Sequence, residues 1–145
     1  MKIFDIHYIK NSKPAAGRII IGDFKEKFSL EIYEWSPKDY QRSWLLALQE
    51  MVDGAKSVSL MTWAANPSSQ IVRRAWILYR KDNTVYIQER LFIPEDKSFV
   101  MDKSGRVINH SPRRTKSVDG GPISEWTTNI TAIKVYIKQY SKIAA

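Results

Sequence analysis

The carboxylate pairs Glu31 with Glu34 and Glu95 with Asp96 are of the kind that divide acid and base roles in hydrolysis. Their spacing argues against that use. Residues three apart on a strand point to opposite faces, and adjacent acids in "IPEDKS" read as solvated turn formers. The two histidines, His7 and His110, lie far apart, with no HExxH helix and no cysteine to complete a zinc site. The glycines of "GPISEW" and "IIIGDF" fit neither a phosphate-cradling loop nor a dinucleotide fingerprint. The sequence therefore offers no catalytic residue, no metal-ligand set and no cofactor, and the expectation is a protein that is not an enzyme.

Charge is the stronger signal. The chain has a net charge of +8, yet residues 23 to 53 hold seven acids against four bases. The acids are Asp23, Glu26, Glu31, Glu34, Asp39, Glu50 and Asp53; the bases are Lys25, Lys27, Lys38 and Arg42. Residues 73 to 145 carry fourteen Lys or Arg against seven acids and so hold nearly all of the excess. A local acidic segment in a basic chain is suited to a partner with a basic surface. It is equally a description of a solvated face whose acids pair with Lys25, Lys38 or Arg42.

A second pattern interleaves aromatic and basic residues. Val72, Arg74, Trp76, Leu78 and Arg80 share one face of a strand, and Tyr86, Gln88, Arg90 and Phe92 share one face of its neighbour. Such a surface could stack bases and grip phosphates as single-strand-binding sheets do. This makes Arg74, Trp76, Arg80, Tyr86 and Arg90 an alternative nucleic-acid face. The competing arrangement buries Trp76, Leu78 and Phe92 beneath helices and lets the arginines extend along the edges.

The elements that must position these residues follow from periodicity. "MKIFDIHYIK" alternates as a half-buried strand, and "RIIIGDF" and "EKFSLEIYEW" are β-prone runs with "DFKEK" as the turn between them. In the second run Phe28, Leu30 and Ile32 take one face and Glu31 the other. Ser36 as N-cap, Pro37 at the first helical position, Asp39 in the first turn and Gly54 past the end predict a helix over about 37–53, with Tyr40, Trp44, Leu48 and Met51 inward. "KSVSLMTWAA", "IVRRAWILYR" and "TVYIQERLFI" form an antiparallel meander, and "SFVMDKSGRVIN" a short hairpin. "HSPRRTKSVDGGP" is a basic loop. Trp126, Ile130, Ile133, Ile137 and Tyr140 predict a closing helix over about 124–141. The expected fold is α+β, an antiparallel sheet of about six or seven strands packed with two helices.

At 145 residues the chain is expected to form one domain, 1–145, able to bury roughly two thirds of its unfolded surface. Composition is that of a globular protein, 43% hydrophobic and 26% charged. No apolar run approaches the roughly 20 residues that span a bilayer, and no signal-like segment opens the sequence. The expected address is the cytoplasm, with no membrane partner, and the absence of cysteine agrees with a reducing compartment.

The succession "GRIIIGDFKEKFSLEIYEW", "SPKDYQRSWLLALQEMVDG", "WILYRKDNTVYIQERLF" and "ISEW" resembles the immunity proteins of bacterial contact-dependent growth inhibition systems, over most of residues 17 to 137. The resemblance implies a cytoplasmic inhibitor whose partner is the toxic C-terminal domain of a large effector, often a nuclease and frequently one that attacks transfer RNA. It brings no catalytic residues. Under it the acidic segment becomes the candidate toxin-binding surface: Asp23, Glu26, Glu31, Glu34 and Asp39. Its one departure is charge, because an inhibitor of a basic nuclease would be expected to be acidic throughout. The basic C-terminal half facing an acidic toxin surface is the alternative.

Overall fold

Ser36 opens α1 (Pro37–Val52) with a complete capping box: its hydroxyl accepts from the Asp39 backbone N–H, and the Asp39 carboxylate accepts from the Ser36 N–H at 2.8 Å. These paired bonds satisfy first-turn groups that a bare helix end leaves open. No basic residue lies in the last turn of α1. Arg80 serves that end instead, donating from Nη1 to the Met51 carbonyl at 2.7 Å and to that of Val52 at 3.2 Å.

The computed structural model describes residues 3–32, 35–63, 73–92, 99–101, 107–109, 112–117 and 119–144. Two antiparallel sheets frame the molecule. The first, in the order β1 (Phe4–Tyr8), β2 (Ala16–Ile21), β3 (Phe24–Ser29), is a meander. The second runs β4 (Ser57–Met61), β5 (Arg73–Lys81), β6 (Thr84–Phe92), β9 (Glu125–Asn129). A separate hairpin pairs β7 (Phe99–Met101) with β8 (Val107–Asn109), and α2 (Ile130–Ala144) follows β9 directly. The α+β class is as the sequence predicts, and its seven sheet strands are shared between a three-stranded and a four-stranded sheet. No helix among the described residues is long and apolar enough to cross a membrane.

Two boundaries differ from the sequence expectation, each for a local reason. The β2–β3 turn is Gly22–Asp23, with Gly22 at φ 61°, so β3 begins at Phe24 and "FKEK" is strand, not turn. The second helix begins at Ile130 because "EWTTN" pairs with β6 along Thr84–Gln88. Its adjacent β-branched threonines suit a strand, and the Asn129 carboxamide then accepts from the Ala132 N–H at 2.8 Å as a cap. Trp126 falls at helical spacing from Ile130 but belongs to the sheet.

The core is continuous between the sheets and helices. Trp44 is fully buried, and its indole N–H donates to the Met61 carbonyl at 2.7 Å, fixing α1 against β4. Phe28 on β3 packs edge-on against both Trp44 and Trp76, and Phe24 stacks on Trp126 at 4.1 Å, so the first sheet meets the second through aromatic rings. Gly17 lies under the Phe28 ring; a Cβ there would stand 2.7 Å from it.

The buried Gln41 joins three elements. Its Oε1 accepts from the Tyr8 backbone N–H at 3.2 Å, and its Nε2 donates to the Ile6 carbonyl at 3.0 Å and to the Tyr136 hydroxyl at 2.6 Å. The amide therefore occupies the place of a neighbouring strand on the outer edge of β1. Replacing it by leucine removes these bonds and strands the Tyr8 N–H, an expected loss of about 1–3 kcal/mol in chemical denaturation. Ser43→Ala, close by on the same helix and equally buried, removes a hydroxyl that has no partner among the described residues and should change stability by less than about 0.5 kcal/mol.

Candidate functional site

β3 alternates strictly: Phe24, Glu26 and Phe28 are half-buried, while Lys25, Lys27 and Ser29 are exposed. Glu26 therefore stands on the apolar face of its own strand, between two phenylalanines that pack on the second sheet. β6 contains the matching anomaly. Val85 and Ile87 are fully buried on one face, and the third residue of that row is Glu89, paired in register with Trp76 of β5. The two carboxyl groups line the same space where the sheets face each other. Arg74, two residues before Trp76, approaches Glu89 at 3.7 Å with its side chain 65% exposed.

These groups line a cleft of about 540 Å³ that also draws on Glu31, Thr62 and Trp63. Its far wall is fixed by backbone contacts: the Glu31 N–H donates to the Thr62 carbonyl at 3.0 Å, and the Glu31 carbonyl accepts from the Tyr40 hydroxyl at 2.5 Å. Burial, then the charge of Glu26, push the Glu89 carboxyl above the usual carboxylate range, with Arg74 acting weakly in the other direction. The Thr62 hydroxyl is committed to the Arg74 carbonyl at 2.5 Å and is not poised as a nucleophile. The arrangement suits capture of a positive charge.

Of the acidic residues expected at a partner surface, Glu26 and Glu31 come together here. Asp23 is exposed at the β2–β3 turn, eight extended residues from Glu31, or about 25 Å. Asp39 is occupied in the helix cap, where hydrogen bonds from Ser36 hold its carboxyl below the usual range. Glu34 lies outside the described residues. Sequence reasoning placed Glu26 in a turn and passed over Glu89. The signal for both was a carboxylate on the apolar row of a strand: Phe24, Glu26, Phe28 and Val85, Ile87, Glu89.

The aromatic and basic residues do not form one surface. Register sets Trp76 opposite Glu89 and Ile77 opposite Gln88, so Arg74, Trp76 and Arg80 share the face of Glu89, whereas Tyr86 and Arg90 lie on the other. Trp76 is 1% exposed, and Arg80 is engaged at the end of α1. On the opposite face Arg113 lies 3.7 Å over the Tyr86 ring and forms a bidentate pair with Glu125 at 2.5 and 2.8 Å. Gln88 donates to both the Arg114 carbonyl and Glu125 at 2.7 Å. Part of the basic loop is thus held down on the sheet. Of the histidines, His7 bonds Asp5 at 2.8 Å on β1 and His110 lies outside the described residues.

Comparison with known proteins adds three findings. Residues 30–136 match the sequence family described as the CdiI N-terminal domain. The chain is 31% identical over 116 residues, 79% of each protein, to "Immunity protein CdiI" of Enterobacter cloacae subsp. cloacae. It is also similar in fold to a chain of the "CdiA-CT/CdiI toxin and immunity complex from Enterobacter cloacae", with a TM-score of 0.76, 24% identity and coverage of 97% of this chain and 99% of that one.

The Glu26–Glu89 pair sets a pH dependence of stability. The raised value of Glu89 means that the folded protein holds a proton the unfolded chain releases, so its stabilising effect is complete below the ordinary glutamate value, about 4.3, and is lost as pH rises through the raised one. Glu89→Gln supplies a permanent neutral donor. Thermal melts should show this variant above the native protein at pH 7 to 8, the gap closing towards pH 4. A constant gap across that range would count against the pair.

Proposed function

Because the chain belongs to the CdiI immunity-protein family, we propose that it binds and neutralises the C-terminal toxin domain of a contact-dependent growth inhibition effector delivered by neighbouring cells. The observation that carries this reading is the relationship to a curated immunity protein across 79% of both chains. The inhibition is by occupancy: a rigid protein surface covers the toxin, with no reaction on this chain. The site of action is the cytoplasm, where the toxin has its target.

The toxin is read as a nuclease, with transfer RNA a candidate substrate. A nuclease holds phosphates in a basic cleft, and an inhibitor that offers carboxylates of complementary potential competes for the same surface and accelerates encounter. The cleft residues Glu26 and Glu31 are the centre of this surface, with Asp23, Glu34 and Asp39 as its expected extension. The split of Arg74, Trp76 and Arg80 from Tyr86 and Arg90 onto opposite faces of the sheet removes the common platform that the single-stranded nucleic-acid alternative needs.

Growth of cells co-expressing the cognate toxin domain tests the proposal. The native chain should restore growth, and Glu26→Lys with Glu31→Lys should fail to do so while remaining folded, since the ammonium introduced on β3 would face the Glu89 carboxylate. Arg114→Glu with Lys134→Glu, both exposed, serves as control and should still protect. Lack of rescue by the native chain overturns the immunity reading; rescue by the acidic-site variant and failure of the control transfers recognition to the basic half.

A further inference from the structure

Consecutive residues of one stretch, 26–31, line the cleft between the sheets. Neighbours on a strand point to opposite faces, so a cleft that touches both sets runs along the edge of β3 and not over one of its faces. β3 is the outermost strand of its sheet, paired with β2 on one side alone. The register says which backbone groups lie on the other side. Leu30 donates its N–H to the Ala15 carbonyl at 3.0 Å, so in the antiparallel ladder Phe28, Glu26 and Phe24 also turn theirs toward β2, while Lys25, Lys27 and Ser29 turn theirs away. The next residue of the outward set, Glu31, confirms the phase: its N–H meets the Thr62 carbonyl at 3.0 Å, and it bridges Trp63 in parallel. Among the described residues no group bonds the outward N–H and C=O of Lys27 and Ser29, which stand open on the cleft.

We infer that an extended segment of the toxin domain completes this edge, adding to β3 as a further strand along Lys27 and Ser29. The inference rests on the toxin-binding reading above and specifies the contact through which that surface recognises its partner. Strand addition takes its affinity from main-chain hydrogen bonds and its specificity from alternate side chains. The open edge runs from the turn at Gly22–Asp23 to Glu31, about seven residues or roughly 23 Å, which is an ordinary strand length. The cleft beside it, about 540 Å³, lies within the roughly 300–1,000 Å³ range of binding clefts.

Charge selects the occupant. Residues directly opposite on paired strands share a face, so neighbours of Lys25 and Lys27 on the added strand lie on the outer face, and the neighbour of Glu26 lies on the inner face with Glu89. A segment that alternates acidic residues outward with a basic residue inward is complementary at each rung. A second copy of β3 is not: antiparallel pairing with itself sets lysine against lysine on the outer face, and like charges directly opposite destabilise a pair. Lysines on an exposed edge oppose such self-pairing, and here they leave it open to a strand of the opposite pattern.

The test combines amide hydrogen exchange with binding, on the intact protein and an inactivated cognate toxin domain. In the free protein the N–H groups of Lys27 and Ser29 should exchange much faster than those of Glu26 and Phe28, which β2 holds, and in the complex they should slow by about tenfold or more. Lys27→Pro and Ser29→Pro each remove one outward donor and leave the bonds to β2 in place, a substitution that edge strands tolerate. Each should weaken toxin binding by about tenfold or more. Lys27→Ala keeps the N–H and loses the charge, so its loss should be clearly smaller than that of Lys27→Pro. Melting curves show whether the proline variants are folded, and exchange in the native complex decides the matter where they are not. Toxin binding without slowing at Lys27 and Ser29, folded proline variants that bind as well as native, or equal losses from Lys27→Pro and Lys27→Ala overturns the added strand and leaves the immunity reading intact. Slowing that follows protein concentration without toxin places a second copy on the edge and overturns the choice of partner. Failure of the native protein to bind the toxin at all overturns both.

Discussion

The outer edge of β1 is the constraint on which the arrangement turns. An edge strand exposes a row of backbone donors and acceptors, and here that edge is buried against helices, where unmet groups cost free energy and stray pairing is a hazard. Gln41 resolves it with a side-chain amide that accepts from Tyr8 and donates to Ile6 as a strand would. Tyr136 adds a second bond to the Ile6 carbonyl at 2.8 Å from α2, and burial pushes its phenol far above the ordinary range, so it remains a donor at any physiological pH. One amide and one hydroxyl thus fasten the first sheet to both helices.

Once β1 is fixed, the position of β3 follows. A three-stranded sheet held at one edge carries its other edge across the second sheet, and the ring contacts of Phe24 on Trp126 and Phe28 on Trp76 set the spacing. Between those two contacts β3 has one further inward residue, and it is Glu26. An aliphatic residue there would close the joint as ordinary core. A glutamate opposite Glu89 leaves a polar gap instead, with the paired acids raising the cost of the charged state. The cleft is consequently a product of register: a one-residue slip of β3 would send Glu26 to solvent and bring Lys25 or Lys27 inward.

Much of this could be read from the sequence, and the omissions have one cause. The N-cap at Ser36 and the inward face of α1 depend on residues within a few positions of one another, where propensity and periodicity act directly. The α+β class followed from such local signals. The β2–β3 turn was misplaced because "DFKEK" is polar, although Gly22–Asp23 is the pair that can adopt the tight turn. Trp126 was assigned to a helix because its interval to Ile130 fits a helix as well as the strand-to-helix junction does. The acidic segment was visible as charge but not as a site: its residues scatter to a turn, a cleft and a helix cap, and the partner that gives Glu26 its setting, Glu89, is supplied by a strand distant in sequence.

The register of β6 also explains how a chain of net charge +8 maintains an acidic cleft. Alternate residues of one strand serve opposite surfaces: Val85, Ile87 and Glu89 face the first sheet, while Tyr86, Gln88 and Arg90 face the segment bearing Arg113. Arg113 is held on that second surface by Glu125 and Tyr86, so its charge cannot swing toward the cleft. Sheet layers pack about 10 Å apart, and the screening length at physiological salt is about 8 Å. Charges on the far side of β6 are therefore largely screened from the cleft mouth, and net charge is a poor guide to the local potential a partner meets. A basic chain can hold an acidic cleft because the pleat of a single strand sends Glu89 to one face and the row of Arg90 to the other.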